Sequence, residues 1–78
     1  MRNTTILRGA AQALNLEVKQ IEQGIEQLTL SQLDEVIELL SDRRDAAAEF
    51  EVEGKTVLVE IDKSDRNVEV LVTEMEGY

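Results

Sequence analysis

The chain has 78 residues, a net charge of −9 at pH 7, and neither cysteine nor histidine. Its length accommodates one domain with a modest core, and its hydrophobic content of 42% is typical of a globular chain. The excess of acidic residues argues against nucleic acid or an anionic membrane as a direct partner, because both attract basic surfaces.

The first stretch, MRNTTILRGAAQAL, contains only a short and interrupted apolar run. Such a run is typical of neither a signal peptide nor a membrane span. We therefore expect a cytoplasmic protein.

Apolar residues next recur in alternating steps of four and three, which is the spacing of a helix that buries one face. We predict a helix here, either continuous or broken at Asn15 or Gly24, because both residue types tolerate the left-handed backbone of helix ends. The row could pair with a second copy as a coiled coil, but we expect it to pack on the rest of the domain. Its members are Leu7, Ala11, Leu14, Val18, Ile21, Ile25 and Leu28.

Within residues 10 to 23, the positions of Ala11, Asn15, Leu16 and Ile21 match the spacing of a helix-turn-helix. The second helix would present mainly glutamate and glutamine, and its carboxylates would repel phosphate. A helix-turn-helix used for protein contact stays open, whereas a DNA-binding regulator is the least favoured alternative.

A second helix is predicted to begin at Thr29. Thr29 and Gln32 form a capping box in the sequence, and Leu28 and Leu33 occupy the positions of a hydrophobic staple. The three alanines from Ala46 to Ala48 favour continuation of the helix, so the helical part is predicted to cover about residues 4–48. The buried row of this helix is predicted to be Leu30, Leu33, Ile37 and Leu40, widened by Val36 and Leu39.

After residue 48 the apolar period changes to two, which predicts strands over about residues 49–76. Gly54 fits a type II′ turn over residues 53–56, and residues 62–67 form a polar loop. We therefore predict an α+β fold in which two or three helices pack on a three-stranded antiparallel β-meander. Residues 1–78 are expected to form a single domain.

The two predicted turns agree on one buried face. The predicted buried pairs are Val52–Val57, Phe50–Val59, Ile61–Val68, Val59–Val70 and Val57–Val72. The opposite face is predicted to carry a row of glutamates and, beside it, two leucines that face each other. These six positions are Glu49, Glu60 and Glu69 in the first row, and Glu51, Leu58 and Leu71 in the second.

Four acidic residues are spaced four, four and three apart in the second predicted helix. At this spacing they would form one continuous acidic stripe, and no lysine or arginine lies three or four residues away to relieve it. The stripe consists of Asp34, Glu38, Asp42 and Asp45.

The stripe, the glutamate row and the two leucines predict a partner-binding surface. We expect no enzyme, cofactor or metal, because no nucleophile–base pair, phosphate-binding glycine loop or calcium-loop spacing is evident. The leading hypothesis is an acidic inhibitor or nucleic-acid mimic that occupies a basic site on a partner protein. The alternative is an adaptor, assembly or antitoxin-like subunit, which could act as a homodimer and whose acidity serves only solubility.

Overall fold

The computed structural model describes residues 2–42 and 44–75. The four strands form one mixed sheet in the order β1-β4-β3-β2, with β1 parallel to β4 and the other neighbours antiparallel. In chain order the elements are helix α1 (Asn3–Ala13), strand β1 (Glu17–Ile21), a 3-10 turn (Gln23–Gln27), helix α2 (Leu30–Leu40), and strands β2 (Ala46–Val52), β3 (Lys55–Ser64) and β4 (Asn67–Met75).

The predicted α+β class is confirmed, but the prediction of a three-stranded sheet is wrong. Strands β2, β3 and β4 do form an antiparallel meander, and β1 adds a fourth strand along β4. Both helices cover the same face of the sheet and enclose its buried side chains. Among the described residues, no helix is both long enough and apolar enough to cross a membrane.

Strand β1 occupies a segment whose apolar spacing predicted a helix. Val18 pairs with Val68 and Ile21 with Val70, and the pairing is irregular between Val18 and Gln20. The extra residue, Lys19, acts as a bulge that turns both Val18 and Ile21 toward the core although they are three residues apart. A bulged strand thereby reproduces the spacing of a helix, and the helix-turn-helix and coiled-coil interpretations of this segment are wrong.

The first helix ends just before Asn15, which is one of the two breaks that the sequence left open. The φ of Asn15, 59°, lies in the left-handed region, and the backbone N–H of Leu16 donates to the carbonyl of Ala11. Gly24 lies within the 3-10 turn, where it allows the chain to approach β4 closely. A Cβ added at Gly24 would lie 2.6 Å from a Val72 methyl carbon.

The start of α2 is confirmed, and its predicted end is wrong. Thr29 and Gln32 form the complete capping box, but the helix ends at Leu40 with Ser41 as its C-cap. The alanines from Ala46 to Ala48 belong to β2, where their alternation continues that of the following residues. Pairing with β3 thus overrides the helix propensity of alanine. The strands therefore begin at residue 46 rather than 49, and residue 76 lies outside the described residues.

The predicted registers are wrong by two residues at both turns. The first turn has Glu53 and Gly54 at its centre, both with positive φ, which is a type I′ turn rather than the predicted type II′. The observed pairs are therefore Phe50–Val57 and Ala48–Val59 on one side of β3, and Val59–Val72 and Ile61–Val70 on the other. Because side chains alternate with period two, a shift of two preserves the predicted buried face.

The core lies between this face and the helices. Val57, Val59 and Val68 are fully buried on the sheet. The helices and the 3-10 turn contribute Leu7, Ala11, Ile25, Leu28, Leu33, Val36 and Leu40.

A carboxylate from the 3-10 turn caps α1. Glu26 accepts the backbone N–H of Asn3 at 2.9 Å and that of Thr4 at 3.1 Å, and it also accepts the Thr4 hydroxyl at 2.7 Å. The buried amide of Asn3 donates to the carbonyls of Ile25 and Leu28. The Thr4 hydroxyl and these backbone N–H groups hold the pKa of Glu26 below its ordinary value, against the opposing effect of burial.

The last turn of α2 is capped from the sheet. The ammonium of Lys63 donates to the carbonyls of Leu39 and Leu40, at 3.3 and 2.6 Å. A cation at this position satisfies carbonyls that have no partner within the helix and complements the helix dipole.

The close approach at Gly24 yields a first prediction. Gly24→Ala should lower the free energy of unfolding by about 1–3 kcal/mol, because the added methyl group would overlap Val72. Gly9→Ala is the matched control, since Gly9 lies in α1 with open space around its Cα, and it should stabilise by about 0.5–1 kcal/mol. Urea denaturation of both variants measures the difference, and equal effects would contradict the described packing.

The Glu26 cap yields a second prediction, which depends on pH. A carboxylate whose pKa is lowered by folding stabilises the protein above its ordinary value of 4.5, and this contribution is lost as the pH falls through the lowered pKa. Glu26→Gln should therefore lower the urea midpoint at neutral pH, and the deficit should shrink as the pH falls below 4.5. The control is Glu38→Gln, an exposed position on α2, and it should change the urea midpoint little. A Glu26→Gln deficit that is independent of pH would contradict the role of the charged carboxylate.

Candidate protein-binding surface

The side of the sheet opposite the helices faces solvent across the described residues, and we call it the open face. Side chains alternate along each strand, so the open face takes every second residue of β2, β3 and β4. The hydroxyl of Thr56 donates to the Glu51 carboxylate at 3.1 Å, which links β2 and β3 on this side. The central members of the open face are Ala47, Glu49, Glu51, Thr56, Leu58, Glu60, Asp62, Glu69, Leu71 and Thr73.

The open face is strongly acidic. At the β1 edge, Lys19 contacts the Glu17 carboxylate at 3.3 Å and lines a shallow depression with Asp62 and Glu69. Lys19 is the basic residue that the described strands place on this face. The carboxylates of the open face come from every strand of the sheet and are Glu17, Glu49, Glu51, Glu60, Asp62 and Glu69.

The predicted row of Glu49, Glu60 and Glu69 does not exist. Because of the register shift, Glu60 lies between Ala47 and Leu71, while Glu49 pairs with Leu58. Glu69 pairs with Asp62 on one side and with Gln20 of β1 on the other. The three glutamates share the open face, but they are staggered across it rather than placed in one line.

The two leucines are close to each other but are not opposite. Leu58 pairs with Thr73, and Leu71 pairs with Glu60, so the leucines are diagonal neighbours on adjacent strands. Both are half-buried, although no helix covers this side. They form a small apolar centre surrounded by carboxylates.

The predicted four-residue acidic stripe is wrong. Asp34 and Glu38 lie exposed on α2, but the helix ends before Asp42, and Asp45 precedes β2. Asp45 instead accepts the backbone N–H of Lys63 at 2.8 Å. Asp34 and Glu38 thus remain an acidic pair on the helix side, while Asp45 belongs to the border of the open face.

A shallow depression on the open face combines an apolar floor with an acidic rim. Ala47 and Leu71 line it together with the carboxylate-bearing residues Asp45, Glu60 and Asp62. The depression exists because Ala47 has only a methyl group between larger neighbours. Such a site suits the side chain of lysine or arginine, whose aliphatic stem packs on apolar atoms while its charge meets carboxylates.

Sequence reasoning missed several residues of this surface. The helix propensity of alanine predicts a helix at Ala47, so the sequence does not reveal its position beside Glu60. The polar run 62–67 predicts a loop at Asp62, whereas β3 extends to Ser64. The signal that could have found Ala47 is the alternation of the whole segment AAAEFEV, in which alanine counts as apolar at every second position.

Within residues 2–42 and 44–75, no group of three or more acidic residues is arranged to hold a metal ion. The chain matches no protein-family model, and no curated protein or solved structure is significantly similar to it. The open face, through its geometry and charge, is therefore the feature of the chain that bears on function.

The structural role of Asp45 yields a third prediction. Asp45→Ala should lower the free energy of unfolding by about 1 kcal/mol, because the backbone N–H of Lys63 loses its acceptor. Glu60→Gln, which removes a neighbouring charge without a described hydrogen bond, should leave the stability unchanged or slightly raised. Urea denaturation at low salt measures both. A larger loss in Glu60→Gln would show that its carboxylate supports the fold.

Proposed function

We propose that the protein is a non-enzymatic binding module whose open face engages a basic surface on a partner protein, as an inhibitor or nucleic-acid mimic. The observation that carries this proposal is the distribution of charge. Carboxylates from every strand occupy the open face, and Lys19 lies at its border beside Glu17. Surfaces that serve only solubility usually mix charges of both signs.

The sheet gives the carboxylates fixed positions. Residues two apart on a strand are about 7 Å apart, and neighbouring strands are about 4.8 Å apart. The result is a grid of negative charge on a rigid support, whereas a flexible acidic tail would lose entropy on binding. A protein that binds phosphates through ordered lysine and arginine residues would meet a comparable pattern on this grid.

The apolar centre adds a second component to the proposed interface. Leu58 and Leu71 are half-buried within the acidic surroundings, and an apolar centre with a polar rim is a common arrangement in protein interfaces. Like charges on neighbouring strands destabilise the free protein by a few tenths of a kcal/mol per pair. Cations of the partner would relieve this repulsion on binding and would make the association salt-dependent.

The same apolar centre favours a second candidate function, that of an adaptor or assembly subunit. In this alternative Leu58 and Leu71 supply the binding energy, and the charge serves solubility. The complex would then resist salt, because burial of apolar surface is not screened by ions.

A fourth prediction tests the acidic face with variants of equal charge. The triple variant Glu49→Gln, Glu60→Gln, Glu69→Gln removes three negative charges from the open face, and Asp34→Asn, Glu35→Gln, Glu38→Gln removes three from the exposed side of α2. Immobilised wild-type protein should capture basic partners at low salt and release them to duplex DNA. The open-face variant should lose this capture, whereas the α2 variant should retain it.

Two outcomes would contradict the mimic. Equal loss in both triple variants would mean that net charge, rather than the open face, attracts the partner. The adaptor would be favoured if capture persists at high salt and is retained by the open-face variant, but is lost in Leu58→Thr or Leu71→Thr.

A further inference from the structure

We infer that the free edge of β2 is a strand-addition site for an extended segment of a partner that alternates basic and apolar residues. This inference rests on the proposed function, since the basic side chains of the added strand would lie on the open face. It goes further by specifying the conformation of the partner and the position at which it binds.

The two edges of the sheet differ in how they are protected. Edge β1 has five residues, carries the bulge at Lys19, and is followed by Glu22, whose carboxylate accepts the backbone N–H of Val72 at 2.7 Å. Lysine and bulges are common devices that prevent further strand pairing. Edge β2 has seven residues in one uninterrupted register with β3 and contains neither proline nor lysine.

The hairpin determines which backbone groups of β2 are available. In a two-residue hairpin the residues that flank the turn exchange hydrogen bonds, so Val52 bonds to Lys55 and alternate residues before it bond to β3. The backbone groups of Ala47, Glu49 and Glu51 consequently point away from the sheet. The Gln32 side chain donates to the carbonyl of Glu51 at 3.0 Å, which caps that end of the edge. Ala47 and Glu49 remain for an added strand.

The side chains along the β2 edge determine why the added segment should alternate basic and apolar residues. Toward the open face, an added strand would meet Glu49 and Ala47, and Ala47 pairs with Glu60 on β3. With strands about 4.8 Å apart, a lysine or arginine opposite Ala47 can cross its methyl group and reach the Glu60 carboxylate. The depression described above is the space through which this side chain would pass.

Toward the helices, the same strand would meet an apolar shelf. Ala46 and Ala48 are half-exposed on this side of β2. Leu39 lies seven residues after Gln32 on α2, on the side of the helix that contacts β2 through Gln32, and it packs partly buried against the core. Small or β-branched apolar residues of the added strand suit this shelf.

A second copy of the chain is the less suitable occupant. Each chain carries a net charge of −9, and antiparallel pairing of two β2 edges would place Glu49 of one copy near acidic residues of the other. A basic segment satisfies the same backbone groups with favourable charge pairs.

The test uses a short, terminally blocked peptide that alternates arginine and valine, with binding to the full chain measured by fluorescence anisotropy. Residues opposite Ala47 and Glu49 donate their own N–H groups to β2 in an antiparallel pair. A peptide N-methylated at its arginines should therefore bind about ten-fold more weakly, through the loss of two or more hydrogen bonds. A peptide N-methylated at its valines has the same charge and should keep its affinity.

Two protein variants test the position. Ala47→Pro removes an N–H that points away from β3. It should lower the affinity for the peptide by a similar factor, while the thermal unfolding of the protein remains cooperative. Ala47→Leu retains the N–H but obstructs the path to Glu60. It should therefore lower the affinity for the arginine peptide more than the affinity for a peptide in which the shorter diaminopropionate replaces arginine. Amide chemical shifts of Ala47 and Glu49 provide a direct readout in the wild-type protein.

Failure of this inference differs from failure of the proposed function. Equal binding of the two N-methylated peptides, together with salt-dependent loss in the open-face variant, would overturn strand addition and leave the acidic face as the binding surface. Absence of peptide binding at millimolar concentration would also overturn strand addition. Self-association that Ala47→Pro abolishes would overturn it as well, because the β2 edge would then pair with a second copy of the chain.

Discussion

The architecture depends on the small size of the chain, which has too few residues to cover both faces of its sheet. The two helices have 11 residues each, and together with the 3-10 turn they bury one face of a four-stranded sheet. A small domain of this kind builds two layers around one core, so the second face of the sheet remains in contact with water. Along most of β3 and β4, inward valine and isoleucine alternate with outward residues that are polar except for Leu58 and Leu71. This pattern follows from the same constraint.

The helices are fixed to the sheet and the 3-10 turn through their ends. Glu26 and Asn3 attach the start of α1 to the 3-10 turn, and Lys63 attaches the end of α2 to β3. Each contact satisfies backbone groups that a helix leaves without partners. The helices are thus held by their buried sides and by these contacts at their ends. The acidic residues of the open face take no part in holding them.

Sequence patterns could predict the fold class, the start of α2 and the buried face, because each depends on local spacing or on a cap of a few residues. They could not predict β1, since its partner β4 is distant in sequence and its bulge imitates helical spacing. The two register errors arise at the turns. Gly54 can occupy either central position of a two-residue hairpin turn, and the polar run 62–67 contains no glycine to indicate that Asp65 and Arg66 form the centre of the second turn. The face was nevertheless assigned correctly, because an error of two residues leaves side chains on the same side.

The candidate site was predicted in composition but not in arrangement. Glu49, Glu60, Glu69, Leu58 and Leu71 do share one surface, as the alternation indicated, but their neighbours differ from those predicted. The acidic stripe does not form because α2 ends at Leu40, although the alanines from Ala46 to Ala48 favour a longer helix. In the structure these residues are held by pairing with β3, and the strand formed there supplies the free edge.

The parallel pairing of β1 with β4 has a consequence for the order of folding. Glu17 pairs with Asn67, a separation of about 50 residues, whereas the hairpins of the meander close through short turns. Loop-closure entropy favours the hairpins first and makes the docking of β1 a late event. Until β1 docks, β4 is itself an unprotected edge with Val68, Val70 and Val72 along it. The high negative charge then has a kinetic value, because mutual repulsion keeps such partly folded chains apart while the last strand finds its place.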